Sequence, residues 1–280
     1  MGAMDLNQYE RVKLEKTDGI LTVSLSNPER RNAMTGDMHG AMEHIWDEID
    51  RDDEVKVVIL QGDPAGNAFC SGADVQNLAE RRTRDAGAGA PERTPRHMGS
   101  SMSKGARSIF WNMMDCEKPI ISKVRGLAYG LGVNVALLAD IVIAEEGARF
   151  CDSHVKVGIT AGDGGAPLWP LLLGFHRAKE YLMTGKPMLA EDAERWGLIN
   201  HCVKADELDA FTWEMAEQLR DMPPLAVRWT KISVNTMLKQ MMAGAFEMSL
   251  AYDFLSLKSE DHLEAARAFV EKRPGRYQGK

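Results

Sequence analysis

The sequence predicts an α/β protein in which short buried strands alternate with amphipathic helices, followed by a region of helices alone. The alternation occurs twice, between residues 19 and 62 and between residues 120 and 144, and strand signals become few beyond residue 206. With 280 residues, the chain is long enough to bury a large core as one domain, or as one domain with an appendage.

The first alternation is a strand, a helix and a second strand. Residues 19–26 and 56–62 are short, rich in β-branched side chains and bounded by turn residues, as strands are. Between them, residues 35–49 carry apolar side chains at helical spacings, at Met38, Met42, Ile45 and Ile49. Thr35 is a suitable N-cap for this helix. The order predicts a right-handed crossover between parallel strands.

The second alternation predicts a strand over 120–124, a helix over 130–139 and a strand over 140–144. Beyond residue 206, helical patterns cover residues 208–219, 225–242, 246–257 and 261–271. The methionines of this last region suit either core packing, or a subunit interface or adaptable acyl pocket: Met237, Met241, Met242 and Met248. Residues 81–101, rich in Gly, Ala, Pro and Arg, predict a surface loop that is either a solvated insertion or a flap over a pocket.

Composition argues against several classes of protein. The 34 Lys and Arg against 41 Asp and Glu give a net charge of −7, which disfavours a dedicated nucleic-acid binder. No apolar run approaches the roughly 20 residues of a membrane span, and residues 1–4 do not resemble a signal peptide. The four cysteines are too scattered for a disulfide framework or a zinc site. We therefore expect a cytoplasmic protein without a metal ion, a nucleic-acid partner or a membrane partner.

Seven short motifs, each weak alone, together identify a family by their order and spacing. They lie at residues 27–33 (NPERRNA), 68–74 (AFCSGAD), 126–140, 150–165, 182–185, 193–199 and 268–273. In this arrangement the chain resembles the crotonase (enoyl-CoA hydratase/isomerase) superfamily over nearly its whole length. The resemblance implies a spiral core of ββα units over residues 1–205. It also implies a helical region over residues 206–280 that builds homotrimers, often paired into hexamers.

The resemblance further implies an acyl-CoA thioester as ligand, with CoA as part of the substrate and no separate cofactor. Two backbone N–H groups of the family polarise the thioester carbonyl as an oxyanion hole, and here they fall at Ala73 and Leu131. A helix beginning near Leu131 supports this, because the free N–H groups of a helix N-terminus suit a developing oxyanion. The other substrate-binding candidates by position are Arg30 and Arg31 at the CoA phosphates, Tyr129 at the acyl pocket and Lys272 at the nucleotide end.

The chain departs from the family at both catalytic glutamates, because their positions hold Asn134 and His154. An amide takes no proton at neutral pH, so Asn134 can only hold a water or a carbonyl. His154 and Asp163, however, resemble the His/Asp pair of the superfamily's cyclic diketone hydrolases of the 6-oxocamphor hydrolase type. A histidine oriented by a carboxylate is a competent general base near pH 7. Alternatively, Asp163 stands close to the nucleophilic aspartate of the CoA aryl dehalogenases.

Three functions remain open at this point. The first is a hydratase-type lyase of acyl-CoA thioesters in which His154 and Asp163 replace the two glutamates. The second is a hydrolase that opens a cyclic 1,3-diketone at a C–C bond by a retro-Claisen reaction. The third is a non-catalytic binding member of the family.

Overall fold

The computed structural model describes residues 3–73 and 105–280 and contains two β-sheets. The larger sheet has the strand order β1-β2-β3-β4-β6-β9 and the smaller one the order β5-β7-β8. The strands are β1 (Val12–Thr17), β2 (Ile20–Leu25), β3 (Val57–Gly62), β4 (Ile120–Val124), β5 (Leu127–Tyr129), β6 (Ile141–Glu145), β7 (Arg149–Cys151), β8 (Met188–Leu189) and β9 (His201–Val203).

The helices of the described residues lie on both faces of the larger sheet and at the C-terminal end of the chain. They are α1 (Gly36–Arg51), α2 (Ala106–Asp115), α3 (Leu131–Leu137), α4 (Gly165–Leu173), α5 (Phe175–Thr184), α6 (Ala190–Arg195), α7 (Leu208–Arg220), α8 (Pro224–Ser256) and α9 (Glu260–Glu271). Three short 3-10 turns cover Pro28–Arg30, Pro64–Gly66 and His154–Val157. Within residues 3–73 and 105–280, no helix has both the length and the hydropathy required to cross a membrane.

The predicted strand–helix–strand crossover is confirmed. Strands β2 and β3 pair in parallel, with Ile20 opposite Val57, and α1 connects them. The Thr35 hydroxyl accepts a hydrogen bond from the Met38 N–H at 3.2 Å, as an N-cap does. The second alternation is also confirmed, since β4 and β6 pair in parallel and α3 lies between them in the chain.

Two apolar layers pack against the two faces of the larger sheet. The main core lies on the face covered by α1 and α2, and buries large side chains such as Trp46, Phe110 and Trp169. Helix α7 covers the opposite face, where Leu208 and Ala216 pack against strand residues. Burial of apolar surface stabilises a folded protein by about 25 cal/mol per Å², so both layers are a main source of stability.

The expected break between two helices near residue 244 is wrong, because α8 runs unbroken from Pro224 to Ser256. A glycine inside a helix costs about 1 kcal/mol relative to alanine. Here Met242, Phe246 and Leu250, each four residues apart, form one buried stripe across that position, and their burial outweighs the cost. Of the four methionines of α8, only Met242 is buried, whereas the other three are more than half exposed.

Helix α8 is attached to the body by polar contacts as well as by this stripe. The Lys231 ammonium pairs with Asp140 at 2.8 Å, and the Asn235 amide donates to the Met114 carbonyl at 2.9 Å. The division of the chain at residues 205 and 206 stays a prediction, although the first helix beyond β9 does begin at Leu208. The loop expected over residues 81–101 lies outside the described residues.

Candidate active site

A turn at Ser71–Ala73 forms the first wall of the site. Cys70 pairs in parallel with Ala128 of β5, and Ala73 pairs with Met34. The Ser71 N–H donates to the Arg31 carbonyl at 3.1 Å, and its hydroxyl donates to the Arg30 carbonyl at 3.0 Å. These bonds fix the backbone direction at Ala73, whose N–H has no acceptor among the residues that the structure describes.

The second wall is the N-terminus of α3. Gly130 precedes the helix with a φ of +55°, a conformation that favours glycine, and its N–H donates to the Cys151 carbonyl at 2.9 Å. A Cβ at Gly130 would lie 3.5 Å from the Gly72 Cα and 3.9 Å from the His154 Cε1. The turn, the helix start and the histidine therefore meet. The Leu131 N–H also lacks an acceptor in the described part of the chain, as expected at the first turn of a helix.

His154 lies between two carboxylates. Its Nδ1 is 2.7 Å from an oxygen of Asp152, and its Nε2 is 3.2 Å from an oxygen of Asp163. The Asp152 side chain is fully buried, and those of His154 and Asp163 are 14% and 11% exposed. His154 and Asp163, the two residues that the sequence singled out, are thus brought together. The arrangement is a triad whose second carboxylate the sequence analysis did not identify.

Asn134 joins the two carboxylates from the opposite side. Its amide nitrogen donates to Asp152 at 3.1 Å and to Asp163 at 3.0 Å, and its oxygen accepts from the Trp169 indole at 3.1 Å. Both amide hydrogens are therefore used, and the side chain is fully buried. In this arrangement Asn134 orients the carboxylates and has no hydrogen left for a water or a substrate carbonyl, which differs from the role the sequence suggested.

The charges of the triad stabilise one another. Burial alone lowers the pKa of His154, but the charges of Asp163 and Asp152 and hydrogen bonds to both hold it well above its usual value of 6.5. Burial alone likewise raises the pKa of Asp152, but the charge of His154 and hydrogen bonds from His154 and Asn134 outweigh it, and the pKa is lowered. These contacts therefore favour the imidazolium form of His154, in which both N–H groups are directed at carboxylate oxygens.

A third acid stands beside the triad. Asp253 of α8 packs against the glycine that precedes Asp163, since a Cβ at Gly162 would lie 2.4 Å from the Asp253 Cβ. The pKa of Asp253 is raised to about 7, mainly by burial and next by the negative charge of Asp163. The site thus combines the carboxylate contacts of His154 with a neighbouring acid whose pKa is raised to about 7.

The substrate-binding candidates occupy different places. The backbones of Arg30 and Arg31 hold the Ser71 turn, which sets both residues beside Ala73. The Tyr129 carbonyl faces Gly72, and burial raises the pKa of its phenol. Lys272 is exposed beyond the end of α9, and no hydrogen bond or ion pair within the described residues links it to the triad.

Sequence reasoning missed Asp152, Trp169 as a partner of Asn134, and Asp253. The signal for Asp152 was its place two residues before His154 at the end of a strand, where a carboxylate can reach both the backbone and the ring of that histidine. Asp253 carried no such signal. It lies 90 residues beyond Asp163 in sequence, and only the packing of α8 on α4 brings the two together.

A metal ion is a poor fit to the triad. Ligand atoms of Asp152, His154 and Asp163 lie within 4.8 Å of one another, a spacing that a metal site would allow. Each ring nitrogen of His154, however, already faces a carboxylate oxygen. A metal ion would have to displace one of these bonds, so the absence of a metal ion stays a prediction.

Comparisons with known proteins agree with the fold and with the expected ligand class. The family model described as enoyl-CoA hydratase/isomerase matches residues 15–280. A short-chain-enoyl-CoA hydratase from Clostridium acetobutylicum is 34% identical over 273 residues, covering 96% of this chain and 97% of the relative. A carnitinyl-CoA dehydratase from Salmonella enteritidis is 32% identical, covering 97% and 99%. A 1,2-epoxyphenylacetyl-CoA isomerase from Escherichia coli is 29% identical, covering 94% and 96%.

Solved structures show the same likeness in three dimensions. An enoyl-CoA hydratase/isomerase from Mycobacterium paratuberculosis superposes with a TM-score of 0.82 at 28% identity, covering 93% of this chain and 99% of that one. The α/β fold with C-terminal helices that the sequence implied is thereby confirmed.

Proposed function

The chain belongs to the enoyl-CoA hydratase/isomerase family, and from this premise we propose that it is a hydratase-type lyase of acyl-CoA thioesters. Its acid–base groups would be the His154–Asp163 pair and Asp253 in place of two glutamates. The observation that carries the proposal is the triad of Asp152, His154 and Asp163 beside two backbone N–H groups that have no acceptor within residues 3–73 and 105–280. Relatives named as a hydratase, a dehydratase and an isomerase support an activity of the family's general kind.

The thioester carbonyl would accept hydrogen bonds from the N–H groups of Ala73 and Leu131. Donors that are fixed by the fold stabilise an oxyanion without reorganisation, which is worth about 2.7–4 kcal/mol for a single donor in a well-studied case. Arg30 and Arg31 stand at the same turn, where a CoA phosphate can pair with a guanidinium. Such pairing at an exposed position is modest and sensitive to salt.

Water addition then needs a base and an acid. We assign the base to Asp163 rather than to His154, because both nitrogens of His154 face carboxylates. As water attacks C3, Asp163 takes its proton and the electron pair of the double bond moves to the carbonyl oxygen. The positive charge of the His154 imidazolium stabilises the negative charge that the attacking water and Asp163 share during this transfer. Asp253, with its pKa near 7, then gives a proton to C2 of the enolate.

The same groups would serve the C–C hydrolase, our second candidate. Water activated by Asp163 would add to a ketone of a 1,3-diketone, the C–C bond would break, and the electron pair would pass to the remaining carbonyl oxygen. Asp253 would again protonate the carbon. The observation that favours this candidate is the His154 Nε2–Asp163 contact of 3.2 Å, made by the two residues that resemble the diketone hydrolases.

A pH-stat separates the two reactions. Hydration of an enoyl-CoA changes the thioester absorbance and releases no proton, whereas ring opening forms a carboxylic acid and releases one proton per turnover near pH 8. Purified protein would be assayed with a panel of enoyl-CoAs and a panel of cyclic 1,3-diketones, free and CoA-linked. Turnover of enoyl-CoAs without proton release supports the lyase, and proton release with diketones supports the hydrolase. Calorimetric binding of acyl-CoA without any turnover would contradict both proposals and favour a binding protein.

We also propose that the chain forms homotrimers or hexamers through α8. Eight large apolar side chains of this helix are more than half exposed: Leu225, Trp229, Val234, Met237, Met241, Met248, Tyr252 and Leu255. Exposed apolar surface of this extent is typical of protein interfaces. A mass of one chain in light scattering at micromolar concentration would contradict the proposal.

For the compartment we retain the cytoplasm as a proposal. All four cysteines lie in the described residues and are unpaired thiols, and three of them are buried. Free thiols are typical of reducing compartments. Fractionation of native cells with an antibody to the protein would test this.

A further inference from the structure

The segment between His154 and Asp163 is held by the C-terminal helices at three points. The His262 Nδ1 lies 2.6 Å from the Val157 carbonyl, so this nitrogen carries the proton and donates. The Thr160 N–H donates to the Ser256 hydroxyl at 3.0 Å. The Ser249 hydroxyl lies 2.9 Å from the Gly162 carbonyl oxygen and 3.0 Å from that of Phe246 in its own helix, so the two acceptors share its single hydrogen. Ser249 and Ser256 belong to α8 and His262 to α9.

Close backbone packing accompanies these bonds. A Cβ at Gly158 would lie 2.8 Å from the His262 Cα, and the φ of +68° at that residue also favours glycine. A Cβ at Gly162 would lie 2.4 Å from the Ser249 carbonyl oxygen. The two helices therefore contact the backbone of the segment directly, and its path is set from outside the turn itself.

The segment depends on these contacts with the helices because its own secondary structure is short. His154–Val157 is a single 3-10 turn, and the carbonyls at the end of so short a helix lack partners within it. The start of the turn is fixed by the Asp152–His154 contact. The distance from His154 to Asp163 then depends on the route of residues 157–162, the stretch that His262, Ser256 and Ser249 contact.

We propose that Ser249, Ser256 and His262 are positioning residues that set the distance between His154 and Asp163. The C-terminal helices then serve the active site in addition to any role in self-association. The effect on turnover rests on the function proposed above, but the effect on the His154–Asp163 contact does not. A displacement of about 1 Å in a catalytic group can cost about 100-fold in rate.

The test compares Ser249→Ala and His262→Ala with Asn235→Ala as a matched control. Asn235 also joins a C-terminal helix to a core carbonyl, that of Met114, but it lies away from the segment. The first readout is the low-field N–H resonances of the His154 imidazolium in NMR spectra. We expect the resonance of the proton between Nε2 and Asp163 to shift or broaden in Ser249→Ala and His262→Ala, and to remain in place in Asn235→Ala.

The second readout uses whichever substrate the screen identifies. We expect kcat to fall about 10-fold or more in Ser249→Ala and His262→Ala with KM changed less than about threefold, because the positioning of groups for proton transfer is lost while the carbonyl site is intact. His262→Asn should restore part of kcat, since its amide nitrogen can occupy the place of Nδ1. If the three alanine variants lose thermal stability alike and none moves the His154 resonances, the positioning role is refuted. Moved resonances without any activity in the wild type would refute only the proposed function.

Discussion

Replacement of Asp152 by asparagine tests the electrostatics of the triad most directly. Asn134 donates a hydrogen to the Asp152 oxygen that faces it, so the oxygen of the new amide must stay on that side. The amide NH2 group then faces the His154 Nδ1, which has to accept a hydrogen bond. We therefore expect the variant to hold His154 as the neutral tautomer with its proton on Nε2, directed at Asp163.

The sizes of the pKa shift and of the stability loss follow from the contacts that Asp152→Asn removes. A buried hydrogen bond to a charged group is worth about 1.5–3 kcal/mol. At about 1.36 kcal/mol for each pH unit, the pKa of His154 should fall by about one to two pH units. Removing one partner of a buried ion pair costs about 3–5 kcal/mol. Because the His154 Nε2–H still donates to Asp163 in the variant, we expect a smaller loss, about 2 kcal/mol of unfolding free energy near pH 6.

The pH dependence has a definite sign. The pKa of His154 is raised above 6.5, so the stability it contributes is complete below pH 6.5 and is lost as the pH rises through its pKa in the folded protein. The pKa of Asp152 is lowered from 3.8, so its contribution is present above pH 3.8 and is lost at lower pH. The difference in stability between wild type and variant should therefore be largest between about pH 4 and 6.5 and should narrow above that range.

Urea unfolding from pH 4.5 to 9 and an NMR titration of His154 measure these effects. Asp63→Asn is the control, because this buried carboxylate pairs with Lys13 and lies outside the triad. Its stability loss should stay nearly constant from pH 5.5 to 9, where lysine keeps its charge. A His154 titration unchanged by Asp152→Asn, or a stability difference that widens with rising pH, would refute the reasoning.

Predictions for three further variants concern the same site. His154→Ala should lower kcat by about 100-fold, since Asp163 loses the partner that holds its carboxylate in place, and steady-state kinetics with near-normal turnover would contradict its role. Asp253→Asn should remove the fall in rate that occurs as the pH rises through about 7, and a pH–rate profile that keeps this limb would show that another group supplies the proton. The same variant should be more stable than wild type at pH 8, because an acid with a raised pKa loses stability as it ionises. Gly130→Ala should lower the unfolding free energy by about 1–2 kcal/mol in chemical denaturation, because a φ of +55° disfavours a side chain. It should also weaken acyl-CoA binding, because the new Cβ would point at Gly72 and His154. Unchanged affinity in calorimetry would exclude this place for the thioester carbonyl.

The sequence determined two strand–helix–strand alternations, the helical C-terminal region and the two residues at the centre of the site. Hydrophobic periodicity is a local property, so it located α1 and the strands on either side of it, and the Thr35 cap could be read in the same way. Motif order identified the family, and the departures at Asn134 and His154 were visible because a family's motifs fix which positions carry its chemistry. Local patterns failed at residue 244, where the buried stripe of α8 outweighs the glycine.

Only the tertiary structure decided what surrounds each group at the site. Whether His154 can accept a proton depends on what faces its two nitrogens, and both face carboxylates. Whether Asn134 is free depends on Trp169 and on the same two carboxylates. The pKa of Asp253 is raised to about 7 because the packing of α8 places it in a partly buried position near Asp163. Burial and neighbouring charge depend on residues that are distant in sequence, so local sequence patterns do not reveal them.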